Sequence, residues 1–68
     1  NLKLLERAKR IVSLATNISK DEAEKYLNET DYDVKLSNFM IESGLDKESA
    51  KNLLEKNDGY ISKALQNV

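Results

Sequence analysis

Two close pairs of carboxylates, Asp21/Glu22 and Asp31/Asp33, are the candidates this sequence offers for acid–base chemistry. Such chemistry needs groups held at fixed separation with pKa values tuned to the task. The chain contains no His and no Cys, which removes the commonest general base, the commonest metal ligand and the thiolate nucleophile. Both carboxylate pairs fall where helix-capping residues belong, so they read as structural. Asp58-Gly59 is too short for a phosphate-cradling loop and reads as a turn. Nothing has the ligand spacing of a calcium loop of about twelve residues. Tyr26, Tyr32 and Tyr60 sit at helix ends or on an inward face and form no stacking platform for bases. No catalytic residue, metal ligand or cofactor is therefore assigned, and the chain alone is not expected to turn over a substrate. One cationic group remains: Lys3, Arg7 and Arg10, with Glu6 and Lys9 beside them, share one side of the first predicted helix. It reads as a solvated face, with a working basic patch as the alternative.

The rest of the composition narrows the partners. Charged residues make up 34% of the chain yet nearly cancel, leaving a net charge of −1. That balance gives no basic footprint for nucleic acid and no cationic face for a membrane. There is no signal peptide and no apolar run long enough to span a bilayer. The chain opens on Asn1 rather than Met, and so is expected to be a piece of something longer. Two Gly, no Pro and four aromatics fit an all-helical fold. Residues 1–68 read as one small domain, with a thin margin of stability at this size.

Five short helices are expected. The first runs from about Leu2 to Ala15, with Leu4, Leu5, Ala8, Ile11, Val12 and Ala15 on one broad apolar face. Asn17 stops it, with Ile18 packing back on its last turn. Ser19 and Glu22 form a capping box for the second helix, which ends near Glu29 and turns Ala23, Tyr26 and Leu27 inward. The third helix is placed from Asp31 to Ser43, capped by either Asp31 or Asp33. Gly44 stops it in a left-handed conformation, and Leu45 stands where a Schellman motif would set it against Met40. Asp46 caps the fourth helix, whose buried face is Ala50, Leu53 and Leu54. Asn57-Asp58-Gly59 turns into a fifth helix from about Tyr60 to Leu65, with Ile61, Ala64, Leu65 and Val68 inward. No stretch reads as a strand.

The third helix organises the others. At about 100° per residue, Val34, Ser37 and Ile41 fall on one stripe and Leu36, Phe39 and Met40 on nearly the opposite one. A helix with two apolar stripes needs cover on both sides. An internal repeat at an offset of 27 residues explains why. Ile18-Ser19-Lys20 answers Leu45-Asp46-Lys47, Ala23 answers Ala50, Tyr26-Leu27 answers Leu53-Leu54, Asp31 answers Asp58, and Val34 answers Ile61. The central helix closes one three-helix unit and opens the next, and stacking buries faces that neither unit covers alone. Asn38 breaks the pattern; it marks the edge of the first stripe or faces another chain.

The ordered set Asn1-Leu2-Lys3-Leu4, Arg7-Ala8, Arg10-Ile11-Val12, Ala15-Thr16, Asp21-Glu22-Ala23, Leu27, Asp33-Val34-Lys35-Leu36, Gly44-Leu45, Ala50, Leu53-Leu54 and Lys63-Ala64-Leu65 resembles the C-terminal helical domain of N-acetylmuramic acid 6-phosphate etherases. That domain is similar in shape to ubiquitin-associated (UBA) domains, and the glucokinase regulatory protein of animals carries a comparable helical cap. The resemblance implies two overlapping UBA-like units around the shared helix. It implies a cytoplasmic bacterial parent enzyme in cell-wall sugar recycling, which cleaves the lactyl ether to N-acetylglucosamine 6-phosphate and D-lactate by elimination and hydration. The acid and base would belong to an upstream sugar-isomerase-type domain of the same chain. The helical domain would pack on that domain as a non-catalytic cap and help a homodimer form. Asn1 and Lys3 would lie nearest the upstream domain, with Lys3 placed to meet the substrate phosphate as a point charge. Three departures stand out: Asn17 where a Gly is usual, Asp31-Tyr32 in place of a small Gly-rich turn, and Asn38 where an apolar residue is expected. The competing class is a stand-alone UBA-like protein-binding module. Such modules carry a Met-Gly-aromatic loop after their first helix, where this chain has Ala15-Thr16-Asn17.

Overall fold

The computed structural model describes residues 2–68, and the expectation for Asn1 lies outside them. The described chain is five α-helices with no strand: α1 Leu2–Thr16, α2 Lys20–Glu29, α3 Val34–Ser43, α4 Lys47–Lys56 and α5 Ile61–Leu65. The capping residues act as their types require. Ser19, Asp33 and Asp46 each accept a hydrogen bond from the backbone amide three residues on, those of Glu22, Leu36 and Ser49. These bonds satisfy donors that no helical carbonyl can reach. The choice between Asp31 and Asp33 therefore falls to Asp33, and α3 begins three residues later than expected. Asp31 and Tyr32 have φ of 55° and 63°, outside the helical region. Among the described residues, only the forward half of the Ser19/Glu22 capping box forms.

Gly44, at φ 76°, ends α3 through one bond from its amide to the Met40 carbonyl, 2.9 Å. This is the simple left-handed stop, not the expected Schellman arrangement. The Leu45 amide bonds the Ser43 hydroxyl instead, while its side chain packs on the cluster that holds Met40.

The 27-residue repeat is written into the backbone. All six residues with positive φ among those described fall into three pairs at that offset: Asn17 with Gly44, Asp31 with Asp58, and Tyr32 with Gly59. The Tyr32 amide reaches back to the Leu27 carbonyl at 2.6 Å, and the Gly59 amide reaches Leu54 at 2.7 Å. Tyr32 tolerates a conformation that suits glycine because its ring packs against Val12, Ala23 and Leu27.

Two apolar clusters result, and α3 lines both. Leu36, Phe39 and Met40 join Ala50, Leu54 and Ala64, with Tyr26, Leu45, Leu53 and Ile61 at the edge. On the other side Val34 and Ile41 pack on Val12, Ala23 and Leu27, together with Ala8, Ile18 and Tyr32. Phe39 is fully buried and Val34 half-buried, so the central helix is covered on both flanks. Val12 and Phe39, both fully buried, are equivalent positions of the repeat.

Two expectations need correction. On α1 only Val12 is fully buried and Leu5 and Ala8 half-buried, while Leu4, Ile11 and Ala15 face outward. The helix packs mainly on α2 and α3, and two neighbours cannot cover so broad an apolar face. At the other end Leu65 and Val68, expected inward, are both exposed, uncovered by any of the described residues.

Candidate functional site

Three groups of polar side chains could do chemistry, and the fold settles what each can offer. The first comprises the carboxylates. Asp21 and Glu22 lie exposed in the first turn of α2, where they complement the positive end of the helix dipole. Asp33 is committed to its cap, and Asp31 stands exposed on the preceding turn. No group of His, Cys, Asp or Glu among the described residues could hold a metal ion.

Asp46 is the one carboxylate with a resolved shift. Hydrogen bonds from Ser49, its hydroxyl first and its backbone amide second, hold the carboxyl below its ordinary value. A folded-state pKa below the unfolded one stabilises the fold above the ordinary carboxylate range. That contribution disappears as pH falls through the lowered value. Asp46→Asn keeps an N-cap acceptor but removes the titration. The expected result is a flatter loss of melting temperature on acidification below the carboxylate range, with little change at neutral pH. Thermal melts across that range check it.

The second group is cationic. Lys3, Arg7 and Arg10 of α1 border a shallow depression with Leu2, Glu6 and Lys20 of α2. Lys9 has turned away from it: its ammonium lies 3.2 Å from Glu6 and 3.2 Å from Glu24, tying α1 to α2. These bonds, Glu6 first and Glu24 second, raise its pKa. They stabilise below the ordinary lysine value and are lost as pH rises through the raised one. A second cleft, between the α2–α3 turn and α4, mixes Lys35, Lys47 and Lys51 with Asp31, Asp33, Glu55 and Asp58. Opposite charges interleaved there give no net field for an anion.

The third group is buried, and sequence reasoning missed most of it. Thr30 and Ser37 are 5% and 0% exposed, and their hydroxyl oxygens lie 2.8 Å apart. The Thr30 hydroxyl also lies 3.3 Å from the Leu27 carbonyl and 3.3 Å from that of Asp33. Asn38, singled out in the sequence, has a buried amide oxygen without a hydrogen-bond donor. An unsatisfied buried acceptor costs about 1–3 kcal/mol, whereas an apolar group of similar shape carries no such cost. Asn38→Leu is therefore expected to stabilise the fold by about 1 kcal/mol, read as a raised denaturation midpoint with an unchanged m-value.

The described residues thus provide helix caps, salt links and an exposed cationic edge. Lys3 lies exposed on α1. No helix among the described residues is long and apolar enough to cross a membrane.

No family model matches the chain, and no solved structure does. Over all 68 residues the chain is 59% identical to the N-acetylmuramic acid 6-phosphate etherase of Clostridioides difficile. It is 57% identical over the same span to proteins of that name from Clostridium botulinum (strain Hall) and Clostridium beijerinckii. In each case the chain spans 22% of the length of the curated relative it matches. It is thus a homologue of one segment of these etherases.

Proposed function

We propose that the chain is the non-catalytic helical cap of an N-acetylmuramic acid 6-phosphate etherase. The parent enzyme cleaves the lactyl ether of its sugar phosphate to N-acetylglucosamine 6-phosphate and D-lactate in the bacterial cytoplasm. The observation that carries this reading is identity of 57–59% over every residue of the chain to one segment of proteins of that name. The site geometry supports a supporting role over a chemical one, because the carboxylates are spent on helix starts and turns. Acid and base then reside on a sugar-isomerase-type domain upstream in the same polypeptide. The helical units, UBA-like in shape, pack on that domain and assist the homodimer. Lys3, on the exposed side of the first helix, lies toward that domain, where it offers a positive charge to the sugar phosphate.

Removing residues 1–68 from the full polypeptide tests this. Etherase turnover and the dimer measured by light scattering should both decline. A truncated enzyme that keeps both unchanged overturns the proposal. Lys3→Ala in the full protein should raise KM for the phosphorylated sugar with kcat little altered; an unmoved KM removes Lys3 from the site.

A further inference from the structure

We infer that Asp58-Gly59, in the turn between α4 and α5, is a site of spontaneous isomerisation to isoaspartate, and that the turn's own hydrogen bonds hold the reaction back until α5 lifts. This rests on the residues of the turn alone and stands apart from the function proposed above.

The sequence singles out the bond. Cyclisation needs an Asp or Asn side chain that the next main-chain nitrogen can reach, and a side chain on that next residue blocks the approach. Asp58 is the one Asp or Asn in the chain that precedes a glycine. It is also exposed. Its equivalent in the repeat, Asp31, precedes Tyr32 instead. The fold does not easily dispense with the glycine. Gly59 has φ 77°, and a Cβ there would stand 3.0 Å from the Lys35 Nζ. Glycine meets such a backbone without steric cost. At the twin turn Tyr32 meets the same demand, at φ 63°, with its ring packed on Val12, Ala23 and Leu27. One turn therefore carries a shield over the reacting bond, and the other does not.

The reaction balances without any co-reactant but water. The Gly59 nitrogen attacks Cγ of the Asp58 carboxylic acid. The N–Cγ bond forms, a C–O bond of the carboxyl breaks, and the hydroxyl leaves with the amide proton as water. A succinimide ring results. Water then adds to one of its two carbonyls, and that carbon's bond to nitrogen breaks. Opening at Cγ restores aspartate. Opening at the main-chain carbonyl leaves the chain running through the side-chain methylene, with no net change of mass.

In the folded turn the attacking nitrogen is occupied. It donates its proton to the Leu54 carbonyl at 2.7 Å, while the Asp58 and Tyr60 amides bond the Glu55 and Asn57 carbonyls at 3.3 and 3.1 Å. The nitrogen must release Leu54 and rotate before it reaches Cγ, so the reaction waits on local opening. The element that must lift is small. α5 has five residues and is anchored by Ile61 and Ala64 in the cluster around Phe39. Once isomerised, the chain holds an extra main-chain carbon between residues 58 and 59. The Gly59–Leu54 and Tyr60–Asn57 bonds then no longer close together, and the opening becomes permanent. Isoaspartate is thus a covalent record that α5 has come undocked.

The test incubates the 68-residue chain in warm, mildly acidic buffer with and without urea, digests it with trypsin, and labels isoaspartate with isoaspartyl methyltransferase. Label should collect in the fragment of residues 57–63 and not in that of residues 26–35, which holds Asp31 and Asp33. Urea should speed labelling at Asp58 by at least about tenfold. The isomerised chain, separated by chromatography and refolded, should exchange the Ala64 amide faster while Leu27 keeps its protection. No label in residues 57–63 of the urea-treated chain, or equal label in both fragments, overturns the site. Equal rates with and without urea overturn the control by the turn. An isomerised chain that still protects Ala64 overturns the release of α5.

Discussion

Phe39→Ala should remove most of the stability of the molecule. The ring is fully buried against Leu36, Met40, Ala50, Leu54 and Ala64. Truncating such a phenylalanine costs about 3–5 kcal/mol, as lost transfer energy plus the cavity left behind. A chain of 68 residues has roughly 3–10 kcal/mol in total, so the expected fall in melting temperature is about 20 °C. The informative part is where the loss appears. Phe39 belongs to the second unit's cluster, but its helix also supplies Val34 and Ile41 to the first. When α3 loosens, both clusters lose a wall. Hydrogen exchange should therefore rise together at the amides of Leu27 and Leu54, one in each unit. If Leu27 keeps its protection while Leu54 loses it, the two units unfold separately and the shared helix does not couple them.

Thr30→Val is expected to cost about 2 kcal/mol, and more than Ser37→Ala. The two hydroxyls do not depend equally on each other. Thr30 can donate to the carbonyl of Leu27 or Asp33, so it keeps a partner when Ser37 is cut back. Ser37 is fully buried, and the Thr30 oxygen is its side-chain partner. Removing the Thr30 oxygen strands a hydroxyl in the dry interior, which costs about 1–3 kcal/mol. The double substitution removes both groups and should cost less than the two singles added, with a coupling energy of about 1 kcal/mol. Denaturant unfolding of the three variants checks this. A Ser37→Ala cost equal to or above that of Thr30→Val would show that Ser37, not Thr30, holds the pair in place.

Much of this architecture could be read before any coordinates. The two stripes of the central helix follow from residue spacing, because a rod with Phe39 on one side and Val34 on the other cannot be stable with one side wet. The stops at Asn17 and Gly44 were legible because few residues accept a left-handed backbone. Other features were hidden for physical reasons. Asp31 and Asp33 are equally good capping types, and only the left-handed backbone at Asp31 and Tyr32 decides between them. Periodicity shows how wide an apolar face is, not how much of it two neighbours can cover, so spacing alone puts Leu4 and Ile11 inside while the fold leaves them exposed. The Thr30–Ser37 pair joins residues across a turn, and no spacing rule announces it. For the candidate site, the sequence showed correctly where the cations gather on α1. It could not show that Lys9 is drawn off to Glu24, since that carboxylate belongs to a different helix.

The matched left-handed corners have one more consequence. Because each 27-residue step ends in the same backbone geometry, the chain contains instructions for its own elongation. Grafting another such step after α5 would continue the spiral, provided Lys63, Gln66 and Asn67 were exchanged for Leu, Phe and Met. Three surface side chains thus separate the polar outer side of α5 from a face that could seat a further repeat.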